Sequence, residues 1–99
     1  MDKNVDLRYL IIGGDERMME LANIFRNNSY DISLFGFDLL HIDNINTYDN
    51  MKTAIDNADI IIGPIPLASE GDVLNAKYSS KTICISNLIE QIGKKKILL

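Results

Sequence analysis

Leu7-Arg8-Tyr9-Leu10-Ile11-Ile12-Gly13-Gly14-Asp15 is the stretch of sequence that decides the fold. A short and nearly continuous apolar run is typical of a strand that is buried on both faces of a sheet. The two glycines allow a tight turn, and Asp15 is a residue type that caps helices. From Met18 to Phe25, apolar residues then recur at positions i, i+3, i+4 and i+7. This segment therefore predicts a strand, a glycine turn and an amphipathic helix that ends at residues 27–29.

Four further strands are predicted along the chain. They cover residues 30–37, 59–63, 82–85 and 97–99. The third of the five is the clearest, because three consecutive isoleucines lead into Gly63-Pro64, and proline cannot donate to a central ladder. Residues 38–47 are polar and irregular, and residues 67–81 indicate a loop with a short hairpin.

Two more helices are predicted between these strands. The first has helical spacing from Met51 to Ala58, with Thr47 or Asp49 as its cap. The second begins at the cap Ser86 and closes at Gly93. The lysines at 94–96 follow directly, where positive charge favours the carboxyl end of a helix.

This alternation of strands and helices indicates βαβ units around a mostly parallel sheet. With right-handed crossovers, we expect one α/β domain of 99 residues with an open doubly wound sheet in strand order 2-1-3-4-5. It is a three-layer αβα arrangement of the Rossmann-like or flavodoxin-like kind. Such sheets bind ligands beyond the carboxyl ends of the strands, where the strand order reverses. Here that edge is formed by residues 13–17, 37–38 and 63–69.

Composition excludes several classes of function. The net charge is −4 and no basic stripe is present, which argues against nucleic acid and against an anionic membrane surface as partners. Cys84 is the single cysteine, so an internal disulfide is impossible and a reducing compartment is favoured. The amino terminus has no apolar signal-peptide region, and the longest apolar run is far too short to span a bilayer. We expect a cytoplasmic protein.

The segment Gly13-Gly14-Asp15-Glu16-Arg17 has three interpretations. It can be a plain capped turn. It can be an anion or nucleotide cradle at a helix amino terminus, although it lacks the G-x-G-x-x-G pattern and carries two acids where a pyrophosphate would lie. It can also be a site for a polar ligand or a domain contact, in which Arg17 holds a carboxylate.

The other candidate residues carry weaker signals. Gly63-Pro64-Ile65-Pro66 is either a strand terminator or the stiff wall of a cleft, with Ser69 and Asn75 offering hydrogen bonds. His41 is expected on the surface. Cys84 is expected to be a small buried residue within a strand.

No metal site is expected from the sequence. Asp15, Asp38 and Asp43 resemble an acidic magnesium pocket, but a phosphoreceiver domain needs an aspartate at the end of the third strand. Gly63-Pro64 stands there instead. No zinc, EF-hand, P-loop or HExxH pattern occurs either.

Three segments together resemble the N-terminal domain of the A subunit of dipicolinate synthase. They are Ile-Ile-Gly-Gly-Asp-Glu-Arg at 11–17, Leu-Phe-Gly-Phe-Asp at 34–38 and Ala-Asp-Ile-Ile-Ile-Gly-Pro-Ile-Pro at 58–66. Their spacing and the stretch leading to Ser79 also fit, so the resemblance covers nearly the whole chain. It implies a spore-forming bacterium, with the protein in the cytoplasm of the mother cell.

The resemblance also implies a function. The family oxidises dihydrodipicolinate to dipicolinate with NADP, together with the enzyme's B subunit, in spore formation. Its layout resembles two-domain 2-hydroxyacid dehydrogenases, in which a second domain carries the nicotinamide site. We therefore expect this chain to be the N-terminal, substrate-side part of a longer oxidoreductase chain, inactive and without cofactor by itself. The expected partners are the B subunit of dipicolinate synthase, dihydrodipicolinate, the C-terminal nicotinamide-binding domain and further copies of the same chain.

Seven residues are the candidate substrate-binding set under this hypothesis. We expect a backbone contact at the glycine turn, a carboxylate held by Arg17, and a cleft rim shaped by the prolines. The set is Gly13, Gly14, Asp15, Arg17, Pro64, Pro66 and Ser69. The alternative hypothesis is a non-catalytic Rossmann-like or flavodoxin-like module for the assembly of subunits or for small-ligand binding, in which the glycine turn is purely structural.

Overall fold

A five-stranded parallel sheet with helices on both faces forms the molecule in the computed structural model, which describes residues 7–93 and 96–98. The ten elements follow in chain order. They are β1 (Arg8–Ile12), α1 (Glu16–Asn27), β2 (Asp31–Phe35), β3 (Asn46–Tyr48), α2 (Met51–Asp56), β4 (Ile60–Ile62), β5 (Ala68–Glu70), β6 (Val73–Leu74), α3 (Ile85–Ile92) and β7 (Lys96–Leu98).

The strand β1 lies at the centre of the sheet. The order is β3-β2-β1-β4-β7, and β5 with β6 forms a separate antiparallel hairpin. In the parallel register, Leu10 stands between Ser33 and Ile61. The predicted open doubly wound α/β fold is therefore confirmed.

Alternate residues of the strands serve two separate cores, one on each face of the sheet. One face packs against α1, and its buried residues are Ile11, Ala22, Ile32, Leu34, Phe37, Ile45 and Ile62. The other face packs against α2 and α3, and its buried residues include Leu10, Ile12, Ile61, Ala54, Ile55, Leu88 and Ile92. Because a parallel strand buries both faces, β1 contains no polar residue after Arg8 except the half-exposed Tyr9. The three-layer αβα arrangement follows from these two cores.

The helix α1 begins as its sequence predicts. Asp15 is its N-cap, and the side chain accepts a hydrogen bond from the backbone N–H of Arg17. The helix ends at Asn27, with Asn28 as C-cap. For α2 the cap prediction was wrong, because Asn50 caps the helix in place of Thr47 or Asp49.

The predicted strand at residues 82–85 is wrong. Cys84 makes only one isolated antiparallel bridge, to Val73, and α3 begins at Ile85 with Cys84 as N-cap. The cause lies in Asp72, whose carboxylate accepts hydrogen bonds from both the N–H and the hydroxyl of Ser86 and so draws Ser86 into the first turn. Ser86 is therefore not the cap, and Cys84 is exposed rather than buried.

The order of strands also differs from the prediction at the two edges. The predicted second, first and third strands lie side by side as expected, as β2, β1 and β4. The strand next to β4 is β7, whose range overlaps the strand predicted at residues 97–99. The strand at the other edge is the three-residue β3. Residues 94, 95 and 99 lie outside the described part of the chain. Most of the prediction that the lysines at 94–96 stabilise the carboxyl end of α3 falls on these residues.

The hairpin predicted between residues 67 and 81 is present as β5 and β6. Gly93 closes α3 as expected, with its N–H donating to the carbonyl of Ile89. Within the described residues, no helix is long and apolar enough to cross a membrane.

Candidate functional site

The glycine turn after β1 is closed by the protein's own backbone. Gly13 and Gly14 have φ angles of 70° and 108°, in the left-handed region that favours glycine. The N–H of Gly13 donates to the carbonyl of Phe35 at 2.9 Å, and that of Gly14 donates to the carbonyl of Asn75 at 2.6 Å. Neither glycine therefore has a free backbone N–H for the predicted contact to a ligand.

The amino terminus of α1 is likewise satisfied by its own residues. The Oδ1 atom of Asp15 accepts from the N–H of Arg17 at 3.0 Å, and the carbonyl of Asp15 accepts from the N–H groups of Met18 and Met19. A hydrogen bond from its own backbone N–H also helps to lower the pKa of Glu16. Two carboxylates thus occupy the place where a phosphate would bind, which agrees with a capped turn and not with a nucleotide cradle.

The crevice at the point of strand reversal is filled by a later part of the chain. The strand order reverses between β1 and β4, where doubly wound sheets usually bind ligands. Residues 74–78 run through this place, and Ala76 forms a parallel bridge with Gly14. The N–H of Lys77 donates to the carbonyl of Gly14 at 3.2 Å. Asn75 continues the contact to the rim after β4, because its Nδ2 donates to the carbonyl of Pro66 at 3.1 Å.

An apolar groove of about 380 Å³ remains open on the α1 side of the filled crevice. Side chains of α1 form one wall, and the end of β4 with the residues after it forms the other. The lining residues are Gly14, Asp15, Arg17, Met18, Leu21, Phe25, Ile62, Gly63, Pro64, Ile65 and Asn75. Such a slot, with apolar walls and few polar groups, is the usual form of a small-molecule site.

The structure brings four of the seven predicted site residues together along this apolar groove. They are Gly14, Asp15, Arg17 and Pro64. Gly13 precedes the lining residue Gly14 in the turn. Pro66 follows the lining residue Ile65, and its carbonyl accepts a hydrogen bond from Asn75. Ser69 does not reach the groove. It lies in β5, where its hydroxyl is 3.5 Å from the carbonyl of Val73.

Arg17 is the one cation among the groove-lining residues, and its position is fixed by two partners. Its Nε and Nη2 each lie 3.3 Å from a carboxylate oxygen of Asp15, and Nη2 also donates to the carbonyl of Ile65 at 3.2 Å. Hydrogen bonds from Arg17 lower the pKa of Asp15, which therefore stays ionised. Among the described residues, Nη1 has no acceptor, so one edge of the guanidinium is available to a carboxylate.

A second ion pair at this end of α1 was not found from the sequence. The Lys77 ammonium lies 2.6 Å from the Glu16 carboxylate, and it stands 5.5 Å from the centre of the Tyr78 ring. The hydrogen bond from Lys77 is the main cause that lowers the pKa of Glu16 to about 2. The two residues are 61 positions apart in the chain, so no local spacing signals the pair.

The remaining candidates do not assemble a catalytic or metal-binding set. His41 is an exposed loop residue, as predicted, with Nε2 at 3.2 Å from Asp43. Asp38 binds the backbone N–H and the hydroxyl of Ser80 and faces no second carboxylate in the described hydrogen-bond network. In residues 7–93 and 96–98, no three His, Cys, Asp or Glu side chains converge as they would around a metal ion.

Comparison with known proteins gives a consistent result. The profile of the family described as the N-terminal domain of the dipicolinate synthase A subunit matches residues 8–99 of this chain. The crystal structure of the A subunit of dipicolinate synthase from Bacillus halodurans is 26% identical to it, with a TM-score of 0.75 over 95% of this chain and 32% of that one. The A chain of dipicolinate synthase from Bacillus subtilis is 22% identical, with a TM-score of 0.65 over 99% of this chain and 40% of that one. The second likeness shows the fold alone.

This chain thus spans between about a third and two fifths of the length of the structures it resembles. No curated protein sequence matches it.

Proposed function

This chain belongs to the family of N-terminal domains of the dipicolinate synthase A subunit, and we propose that it supplies the substrate-side wall of that enzyme's catalytic cleft. The reaction is the oxidation of dihydrodipicolinate to dipicolinate with NADP, in a spore-forming bacterium. The domain acts together with a C-terminal nicotinamide-binding domain and with the enzyme's B subunit. Its own part is to bind and orient the substrate.

The observation that supports this proposal is the pairing of an apolar slot with one fixed guanidinium. Dihydrodipicolinate is a six-membered ring with two carboxylates. The walls formed by Met18, Phe25 and Pro64 suit the faces of a ring, and the Nη1 edge of Arg17 suits a carboxylate. Because Asp15 and the Ile65 carbonyl already hold the guanidinium, little side-chain entropy is lost when a carboxylate binds.

The residues of this chain do not fit the cofactor itself. The N–H groups of Gly13 and Gly14 donate to protein carbonyls, and Asp15 and Glu16 place negative charge at the helix terminus. A pyrophosphate would find neither free donors nor a favourable field there. We therefore assign NADP, which accepts the hydride when bound, to the part of the enzyme outside this chain.

The direct test is an NMR titration of the chain with dipicolinate and, separately, with NADP. We expect dipicolinate to shift the amide signals of residues 14–18 and 63–65, and NADP to leave them unchanged. The Arg17→Gln variant should bind dipicolinate at least tenfold more weakly, because a hydrogen bond between charged groups contributes about 1.5–3 kcal/mol. Arg26→Gln, at the far end of the same helix, is the matched control and should bind like the unchanged chain.

Turnover separates this proposal from the alternative of a non-catalytic assembly module. In enzyme reconstituted from the full-length A and B subunits, Arg17→Gln should lower kcat/KM at least tenfold with the thermal unfolding midpoint nearly unchanged. A variant that keeps full kcat/KM would contradict the substrate-wall proposal. A weakened association with the B subunit, combined with unchanged kcat/KM, would favour the assembly module.

A further inference from the structure

The loop between β6 and α3 encloses a second groove that the proposed function does not use. Leu74 and Ile83 join the two ends of this loop, because the N–H of Leu74 donates to the carbonyl of Ile83 at 2.8 Å. Its tip is tied to the loop after β2 by the N–H of Leu39, which donates to the carbonyl of Tyr78, and by the contact of Asp38 with Ser80. The loop is therefore held at its base and at its tip, and a groove of about 330 Å³ lies within it. We call it the loop groove.

The chemistry of the loop groove is that of hydrogen-bond donors without acids. Its lining includes Ser69, Ser79, Lys81 and Thr82, and no Asp or Glu is among the lining residues. This is notable in a chain with 14 acidic and 10 basic residues. Two lining residues are bonded to acids outside the lining, Ser80 to Asp38 and Lys77 to Glu16. The positive charge that remains for a ligand is therefore that of Lys81.

Two of the four donor side chains, Lys81 and Thr82, are uncommitted among the described residues, whereas the hydroxyls of Ser69 and Ser79 donate to the carbonyls of Val73 and Lys81. Within the described part of the chain, the ammonium of Lys81 has no acidic partner, whereas that of Lys77 is held by Glu16. The hydroxyl and the N–H of Thr82 have no partner among residues 7–93 and 96–98, and neither has the N–H of Ile83. A cation, a hydroxyl and a backbone N–H on three consecutive residues around one groove form a donor set that suits an oxyanion.

We propose that the loop groove binds an oxyanion, a phosphate or a carboxylate group of a small molecule, through Lys81, Thr82 and the N–H of Ile83. The site is separate from the apolar groove, since the only lining residue that the two share is Asn75. Ser69, which was predicted to bind substrate with Arg17, lines the loop groove and not the apolar groove.

The test is an NMR titration of the chain with inorganic phosphate at constant ionic strength, with chloride as the reference salt. We expect saturable shifts of the Thr82 and Ile83 amide signals with phosphate and none with chloride. Lys81→Gln should weaken phosphate binding at least fivefold. The matched control is Lys52→Gln, which removes a lysine that pairs with Asp56 on α2 and should leave the affinity unchanged.

A second variant and a second ligand complete the design. Thr82→Val keeps the shape of the side chain but removes the hydroxyl, and it should weaken phosphate binding by a smaller factor than Lys81→Gln. Acetate in place of phosphate distinguishes the two oxyanions, because binding of acetate alone assigns the site to carboxylates. The proposal would be overturned if neither phosphate nor acetate shifted the Thr82 and Ile83 signals beyond the chloride reference, or if Lys81→Gln bound the active anion with unchanged affinity.

The outcome is independent of the proposed function. In one outcome, dipicolinate shifts the amide signals of residues 14–18, while phosphate and acetate leave the signals of Thr82 and Ile83 unchanged. That result would support the substrate wall and refute the oxyanion site. The reverse pattern would refute the substrate wall and support the oxyanion site.

Discussion

Gly13 and Gly71 share a left-handed backbone but differ in their surroundings. Their φ angles are 70° and 54°. A Cβ at Gly13 would lie 2.7 Å from the carbonyl oxygen of Asn75, whereas a Cβ at Gly71 would meet nothing within 4 Å. Gly71→Ala should cost about 1 kcal/mol of unfolding free energy from backbone strain alone. Gly13→Ala should cost about 2 kcal/mol more, because a backbone carbonyl cannot move aside as a flexible side chain can.

Urea unfolding of the two variants measures this difference. Equal losses in both would mean that residues 74–78 do not press on the glycine turn as the structure has them. The comparison therefore tests the filled crevice as well as the turn.

Individual residues were predictable where their partners are near in sequence. The cap formed by Asp15 and its contact with Arg17 involve residues two positions apart, and both follow from the segment alone. The exposure of Cys84 and the place of Ser69 were not predictable in the same way. Ile83-Cys84-Ile85 alternates like a strand, but Ile83 ends the loop and Ile85 begins α3, and both are buried in the core shared with α2.

At the scale of elements, α3 depends on a residue that lies outside it. Cys84 is the N-cap by position but makes no side-chain cap bond, while the carboxylate of Asp72 bonds the N–H of Ser86 at 3.0 Å and its hydroxyl at 2.6 Å. Asp72→Ala should therefore lower the free energy of unfolding by about 1 kcal/mol, the usual cost of a lost helix cap. Cys84→Ala should stay within about 0.5 kcal/mol of the unchanged chain.

Thermal and urea unfolding of both variants, with the helix signal followed by circular dichroism, check this assignment. A loss in Cys84→Ala as large as that in Asp72→Ala would mean that the thiol itself supports the helix start. The same dependence explains why the sequence pattern pointed to Ser86 as the cap. The residue that positions Ser86 is Asp72, which comes 14 residues earlier, in the turn between β5 and β6.

At the scale of the whole molecule, the pair of Glu16 and Lys77 joins the first helix to the loop that fills the crevice. The pKa of Glu16 is about 2 in the folded chain and about 4.5 for an unperturbed glutamate. Because the folded pKa is the lower one, the carboxylate adds stability that is complete above about pH 4.5 and is lost as the pH falls towards 2. Both side chains are more than half exposed, so the effect should also shrink as salt is added.

Glu16→Gln is the variant that measures this contribution. It should weaken the dependence of the unfolding free energy on pH between about 4.5 and 2. Glu20→Gln, an exposed position on the same helix, should leave that dependence almost as it is in the unchanged chain. An identical acid profile in Glu16→Gln and the unchanged chain would contradict the ion pair in solution.

The overall architecture was predictable from the sequence because it rests on long apolar patterns. The runs that became β1, β2 and β4 are buried on both faces, and the helical spacing after Asp15 is regular. The edge strand β3 was missed because Asn46-Thr47-Tyr48 is short and polar, and only its pairing with β2 makes it a strand. The filled crevice was missed because the contact between Gly14 and Ala76 joins distant parts of the chain.

The brevity of β3 has a consequence for how this molecule meets copies of itself. An open sheet edge is a template on which another chain can add a strand, and long flat edges lead to aggregation. Here the edge beside β2 offers three residues, two of them exposed and polar, before the chain turns away into α2. A strand of another molecule could therefore pair with only these three residues of β3. We therefore expect concentrated solutions of the chain to resist fibril growth from the β3 edge of the sheet.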